Sequence, residues 1–493
     1  MGGTRGTSAR SLAVLAVGVL DLGLEQSIVA PALPAIERHY RASPTAGTWL
    51  LTGFVLAAAV AIPLAGRLGD QLGRRRVLIW SLGLFAAGAV VCAVSSTIGL
   101  LIAGRVIQGL GAGVAALAVA LARDRLPAAR LTMAVGLLVA AGSAGSVAGL
   151  LLAGLLVDHV SVSAIFWLLF VVAAVLAVLV RVVVPESRAR RTAPVDVLGA
   201  LVLAGGLGSL TLAVSEGNSW GWGSARTLLL AGFAIALIGA FLARERLAAS
   251  PLLDPKALAL RPIWSANVAM LGLGYSLLIV LALVPLIGAY PKSTGYGLGL
   301  TTTQIGLVLV PSAIATLVAG LLGGRYVRAT GARLQALGGV ALVAASYVAL
   351  AVVTPTAAAL ALVTIPLGAG IGFALGAITD LVALASPEEE TAAALGLNVV
   401  IRTVATALGA QVAIAVVTAA PPAFPALRAL ATHLRALGVS GPRVELVNAA
   451  ARVPAHSGFT NAFWMAAGAT VIALIAVALT PPPRSDPTVT GAR

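Results

Sequence analysis

The chain has 493 residues, of which 59% are apolar and 10% charged, with a mean hydropathy of +1.03. A soluble domain carries about a quarter charged residues, so this composition excludes a fold solvated by water. The net charge of +15 lies mainly in short loops between apolar runs, with no separate basic domain, which excludes a nucleic-acid-binding module.

Apolar stretches of about twenty residues recur from end to end, each able to cross roughly 30 Å of hydrocarbon. Because the backbone must satisfy its own hydrogen bonds there, each is predicted to be a helix. In chain order the spans are expected near 12–36, 47–66, 77–97, 100–122, 132–157, 162–184, 195–215, 225–243, 263–289, 304–324, 333–353, 356–384, 394–419 and 459–480. The fold class is an all-α polytopic membrane protein of fourteen spans. Asp21 and Glu25 inside the first run argue against a cleavable leader, and Met-Gly with Ser/Thr nearby is only a weak myristoylation look-alike.

The single cysteine, Cys92, excludes an intrachain disulfide. The four histidines, His39, His159, His433 and His456, all fall in expected loops, and no metal spacing or Ser/His/Asp set lies inside the spans. No Gly-rich phosphate loop is present, so neither an enzyme nor a cofactor or metal protein is expected. Fourteen spans put both termini on one side. If that side is cytoplasmic, 22 Lys and Arg face the cytoplasm and 8 the outside, with Arg105 and Arg402 left inside spans. The positive-inside asymmetry therefore predicts cytoplasmic termini in a cell membrane. The one long connection, 420–458, is predicted to be extracellular. Its amphipathic stretch from Phe424 to Leu437 is expected either to lie on the outer membrane surface or to belong to an ordered loop.

The chain also repeats itself. After the second span comes Gly66-Arg67-Leu68-Gly69-Asp70-Gln71-Leu72-Gly73-Arg74-Arg75-Arg76, and after the tenth Gly324-Arg325-Tyr326-Val327-Arg328-Ala329-Thr330-Gly331-Ala332-Arg333. Gly-Arg and the second Gly keep their spacing, Arg333 falls opposite Arg75, and Arg328 replaces Asp70. This predicts two six-helix bundles related by a pseudo-two-fold axis, 1–190 and 251–493, with an inserted helix pair at 191–250.

These residues resemble the major facilitator superfamily, in particular its fourteen-span drug:proton antiporter branch. The 66–76 loop is similar to the superfamily's signature loop, a conformational latch between the halves. The resemblance implies that role for Gly66, Asp70, Gly73, Arg74 and Arg75. Arg105-Val106-Ile107-Gln108-Gly109 in the fourth span is similar to a second motif, whose buried arginine is linked to proton transfer. From the residues alone, Arg105 snorkelling to the outer surface is the other reading. In the first span Glu25 lies nine residues before Pro34, the branch's acidic position. Asp21 is an extra acid four residues back on the same helix face. Two carboxyls so placed repel when both are ionised, so the pair can hold a proton near neutral pH. Glu25 is expected to carry the coupled proton, with Asp21 tuning it and Arg105 on the same route.

The fifth span departs from the branch. Gly142, Gly145, Gly149 and Gly154 keep a small-residue face for helix packing, but Leu150 stands where the family has proline and Ala153 where it has the first of two glycines. In the thirteenth span, Asn398 and Arg402 lie four apart as in a segment common in the branch, and Asp380 on the preceding helix is the expected ion-pair partner of Arg402.

The resemblance implies a bacterial multidrug-efflux antiporter that exports lipophilic or cationic small molecules, driven by proton influx, and acts as a monomer. Glu25, Asp21, Trp49, Gln108 and Asn398 are the expected cavity wall. The loss of proline at Leu150 keeps open a facilitator, or a lipid or metabolite transporter, on the same scaffold. A non-transporting receptor is disfavoured by the shortness of the loops.

Overall fold

The computed structural model describes residues 2–125, 128–186, 197–247, 261–385, 391–436, 447 and 453–480. Among these, thirteen helices are long and apolar enough to cross a membrane. A further 24-residue helix, Val197–Trp220, occupies the position of the predicted seventh span. There is no strand among the described residues, only a β-bridge between Pro422 and Pro454. The spans are counted below as the sequence predicts them. The domain boundaries expected at 190/191 and 250/251 lie outside the described residues.

Local sequence explains most of the helix starts. Span 2, Pro44–Leu72, begins with proline at its first position and with Ser43, whose hydroxyl accepts from the Ala46 amide at 3.2 Å. Thr97 and Ser161 cap spans 4 and 6 in the same way. A full capping box of Thr301 and Gln304 opens span 10, Thr302–Thr330.

Two spans are broken where the sequence predicts continuity. Span 4 consists of Ile98–Leu110 and Val114–Arg125, joined by a turn at Gly111–Gly113. A Cβ at Gly109 would strike the Phe54 carbonyl of span 2, and one at Gly111 would sit 2.5 Å from the Ser81 carbonyl oxygen of span 3. The glycines thus let three helix backbones converge, and their own propensity does not sustain the helix there. Span 9 divides at Leu278 into Arg261–Leu277 and Ile279–Ala289.

Small residues set the packing in both halves, as membrane helices require when lipid provides no hydrophobic drive. On span 5, Ala128–His159, a Cβ at Gly145 would fall on the Leu20 carbonyl and one at Gly149 on the Leu24 carbonyl of span 1. Gly142 lies beside Val19 and faces Gly23, while Gly154 presses on Thr303 of span 10. Span 13, Thr391–Ala419, meets span 9 likewise: Gly274 lies against the Arg402 backbone and Gly409 against the Tyr275 carbonyl. Two apolar clusters fill spans 1 to 6 and a larger one spans 9 to 14; Leu150 joins the large one, and Leu278, Ala282 and Ala410 join one of the first two. Exposed Val171, Val175, Val178 and Val182 on span 6 present the apolar surface that lipid demands.

The inserted pair, Val197–Trp220 and Ala225–Leu247, packs as a hairpin against span 2 and span 13. In the long connection, Pro425–Ala436 is a helix, and its end residue Leu437 lies outside the described residues, as do 438–446 and 448–452. The amides of Ala423 and Ala455 donate to Val453 and Pro421, each at 2.8 Å, and pin the two ends of that connection together.

Candidate functional site

The strongest electrostatic feature lies within the first bundle. Arg105, 1% exposed, forms an ion pair with Glu25, which is fully buried. Its Nε donates to the Leu50 carbonyl at 2.8 Å, its Nη1 to Gln108 Oε1 at 3.1 Å, and its guanidinium lies 4.8 Å over the Phe54 ring. Arg105 therefore does not snorkel: spans 1, 2 and 4 enclose it. These two hydrogen bonds and the ion pair offset part of the cost of burying the charge. Asp21 is 2% exposed, and its Oδ1 has no hydrogen-bond partner. Gly18, on the same helix face, packs against Val114, so Asp21 lies along the side of span 1 that meets the broken middle of span 4. One helical turn thus separates Asp21 from the Glu25 carboxyl that holds Arg105.

The 66–76 loop ties the first bundle to itself. Arg74 bridges Asp70 at 2.7 Å and Asp124 at 2.8 Å, joining the end of span 2 to the end of span 4. The Arg75 amide donates to Glu186 at 3.0 Å, and its Nη1 donates to the Val184 carbonyl at 3.2 Å, at the end of span 6. Gly73 has φ +99°, and a Cβ there would sit 2.8 Å from Glu186, so glycine is required twice over. Gly66 lies inside the helix with open space beside it, so its expected part in close helix approach is not observed. The partners seen for Asp70, Arg74 and Arg75 all belong to one half.

Polar ties between the halves lie toward the opposite end. Asp158, at the end of span 5, accepts from the Thr302 amide at 3.3 Å, the Thr303 amide at 2.8 Å and the Thr303 hydroxyl at 2.7 Å. These are the first amides of span 10, where a carboxylate satisfies orphan donors and meets the positive end of the helix dipole. Gln411 of span 13 donates to the Thr52 hydroxyl of span 2 at 2.8 Å.

Along the same seam the halves line a partly open cavity of about 160 Å³. Hydroxyls line it from both sides: Ser27, Ser143 and Ser146 from spans 1 and 5, and Ser312 and Thr316 from span 10. Leu150, Leu281, Leu309 and Leu367 complete much of the apolar wall. Leu150, in the family's proline position, keeps its amide, and span 5 runs unbroken past it.

The five expected cavity residues are placed elsewhere. Trp49 donates from Nε1 to Ser215 of the inserted pair at 2.8 Å. Asn398 donates to Asn267 of span 9 at 2.9 Å and is buried between spans 9 and 13. Gln108 supports Arg105. Glu25 is spent on the same arginine, and Asp21 points along that side of span 1, so neither lines the cavity. The expected Asp380–Arg402 pair does not form either. Asp380 is exposed, whereas Arg402 lies half-buried where span 13 meets Gly274 of span 9. Spans 12 and 13 follow each other in sequence, but span 13 spends its close contacts on spans 9 and 2. Sequence reasoning in turn missed Asp158, Ser27 and Ser312. An acid just past a glycine-rich span was a usable signal for Asp158; isolated serines offered none.

Two bundles of membrane-crossing helices, facing each other across a cavity and carrying a buried ion pair in one half, define a multi-pass protein built for passage between its halves. The chain belongs to the major facilitator superfamily: residues 15–410 match the family model of the Major Facilitator Superfamily. It is 33% identical over 402 residues to an uncharacterised MFS-type transporter of Mycobacterium tuberculosis, an alignment covering 80% of this chain and 57% of that one. It is 33% identical over 276 residues to the tetracenomycin C resistance and export protein of Streptomyces glaucescens, covering 56% and 51% of the two chains. With the multidrug resistance protein Stp of Mycobacterium tuberculosis it shares 29% identity over 413 residues, 82% of this chain and 74% of that one. The chain thus spans little more than half the length of the first two relatives. Among solved structures, the nucleoside transporter NupG matches with a TM-score of 0.64 at 14% identity, over 96% of this chain and 100% of that one. The human organic anion transporter MFSD10 matches with a TM-score of 0.61 at 16% identity, over 95% and 99%. These two likenesses concern the fold alone.

Proposed function

We propose that the protein is a proton-coupled secondary transporter that exports lipophilic small molecules across a bacterial cytoplasmic membrane by alternating access. The observation that carries this reading is Asp21, a buried carboxyl with an unpartnered oxygen, one helical turn from the Glu25–Arg105 pair. One guanidinium balances one carboxylate in a buried site, so the two carboxyls share one proton; Glu25 exchanges it when it leaves Arg105, and Asp21 sets how tightly it is held. The similarity to the tetracenomycin C resistance and export protein of Streptomyces supports the direction, and that to the multidrug resistance protein Stp of Mycobacterium the kind of cargo.

With cytoplasmic termini, Asp158 and the start of span 10 lie at the outer end, and the conformation described is closed there. Proton exchange at Asp21 and Glu25 shifts charge around Arg105, whose carbonyl contact at Leu50 and stacking on Phe54 link it to span 2. The 66–76 loop, braced on spans 4 and 6, then carries that movement to the cytoplasmic end and engages the second half in the outward-open state.

The test is substrate-induced proton release and gradient-driven uptake in inside-out vesicles. Glu25→Gln is expected to abolish uphill transport while binding persists, and Asp21→Asn to change its pH dependence while leaving it measurable. Uphill transport by Glu25→Gln under a proton-motive force would sink the coupling assignment and favour a facilitator.

A further inference from the structure

The cavity and the charged cluster lie on opposite sides of span 1. Glu25 faces Arg105 of span 4, whereas Ser27, two residues on and so about 200° around the helix, faces the cavity. Among the described residues, no ionisable side chain lines the cavity. Its polar groups are alcohols, and they differ in how they are engaged. Ser146 donates to the Gly23 and Gly142 carbonyls, each at 3.2 Å, and Thr316 donates to the Ser312 carbonyl at 2.9 Å. Among the described residues, no hydrogen bond engages the hydroxyl of Ser27, in one half, or that of Ser312, in the other.

We infer that this cavity selects uncharged, hydrogen-bonding lipophiles and discriminates against permanent cations, with Ser27 and Ser312 as the paired specificity residues. The inference rests on the transport reading above and narrows it. A ligand carbonyl or hydroxyl can bond to one serine from each half, satisfying both and bridging the seam. A cation there would lose its hydration and meet no carboxylate, because Glu25 is already held by Arg105 behind span 1. Its volume is below the roughly 300–1,000 Å³ of a site that holds a drug-sized ligand, so the closed form grips part of the cargo and opening completes the site. Coupling is then indirect. Proton and substrate do not compete for one carboxylate but act on two faces of the same helix, which Ser146 ties to span 5 through the Gly23 carbonyl.

The experiment compares two probes on the purified full-length protein: radiolabelled chloramphenicol, neutral and rich in hydroxyls, and tetraphenylphosphonium, a permanent lipophilic cation. Equilibrium binding is measured for the unaltered protein, the Ser27→Ala/Ser312→Ala double variant and Ser312→Asp, with thermal unfolding as the check on folding. The unaltered protein is expected to bind chloramphenicol saturably without competition from the cation. The double variant should lose about tenfold in affinity, as removing two hydrogen bonds of ordinary strength predicts. Ser312→Asp should reverse the preference, because it supplies the missing counter-charge. Saturable cation binding that the serine changes leave intact, or no saturable chloramphenicol binding, overturns the inference. Gradient-driven flux of the cation in proteoliposomes would in that case leave the transport reading standing, whereas no gradient-driven flux of either probe removes that reading as well.

Discussion

The two halves share a scaffold and differ in what they bury inside it. In both, a loop after the second helix of the set ends in a glycine with positive φ, Gly73 at +99° and Gly331 at +83°. In both, the arginine two residues later holds a carbonyl at the end of the set's last helix: Arg75 takes Val184, and Arg333 takes Ala478. Glycines bring span 5 onto span 1 and span 13 onto span 9 in the same manner. Yet the first half encloses the Glu25–Arg105 ion pair, whereas the second joins spans 9 and 13 through two amides, Asn267 and Asn398. Among the described residues, the buried ion pair lies in the first half and its counterpart position in the second is held by the Asn267–Asn398 amides.

The sharpest way to break this contrast is to remove one member from each buried pair. Arg105→Ala strands the Glu25 carboxylate and is expected to cost about 3–5 kcal/mol, with loss of uphill flux. Asn398→Ala leaves an amide unsatisfied and should cost about 1–3 kcal/mol. Thermal unfolding in detergent measures both, and equal losses would mean that the first half is no more charge-dependent than the second.

The loop glycines come next. Gly73→Val and Gly331→Val each force a branched residue into a left-handed conformation, a strain of about 1–3 kcal/mol. The effect at Gly73 should be the larger, because its new Cβ would also meet Glu186. Transport assays set beside unfolding curves check the order; a greater loss at Gly331 would undo it.

Asp158→Asn tests the tie between the halves. A carboxylate at a helix N-terminus is worth up to about 2 kcal/mol, so the closed state should lose on the order of tenfold in population. A cysteine placed at Ser312 should then react faster with a membrane-impermeant maleimide, and Cys92, fully buried, adds no background. An unchanged labelling rate would place the closure elsewhere.

The smallest effects are expected at the paired tethers. Arg75→Gln and Arg333→Gln should each cost about 1 kcal/mol for the helix-end carbonyl bond they share, with a modest excess at Arg75, which also donates to the Arg181 carbonyl at 3.4 Å and pairs with Glu186 at 3.6 Å. A large difference in unfolding temperature would argue that the symmetry at these loops is only formal.

Much of the scaffold was legible in the sequence because lipid leaves the chain few choices: apolar runs of sufficient length become helices, and glycine spacing marks where they touch. The break at Gly111–Gly113 had a visible signal in three alternating glycines, although helix length alone pointed the other way. Glu25 and Arg105 could each be singled out, since a charge within a span demands a reason. That they meet, and that Asp380 and Arg402 do not, depends on which helices are lateral neighbours. That is a property of the folded bundle, and order along the chain does not reveal it. The cavity was the least legible part. Serine is ordinary in membrane helices, and nothing in the sequence separates Ser27, facing the cavity, from Ser346, which bonds back to the Leu342 carbonyl of its own helix.

The inserted hairpin gives the molecule two unequal flanks. Trp49 of span 2 bonds to Ser215, and Asn218 donates to Thr418 of span 13 at 3.1 Å, so the hairpin straps over the crevice between those two spans. No described element covers the other crevice, between spans 5 and 10. Acyl chains of the bilayer therefore abut one flank and are fended off the other. At that bare flank the closure is backbone on backbone, Gly306 against the Leu150 carbonyl, and lipid alone backs it.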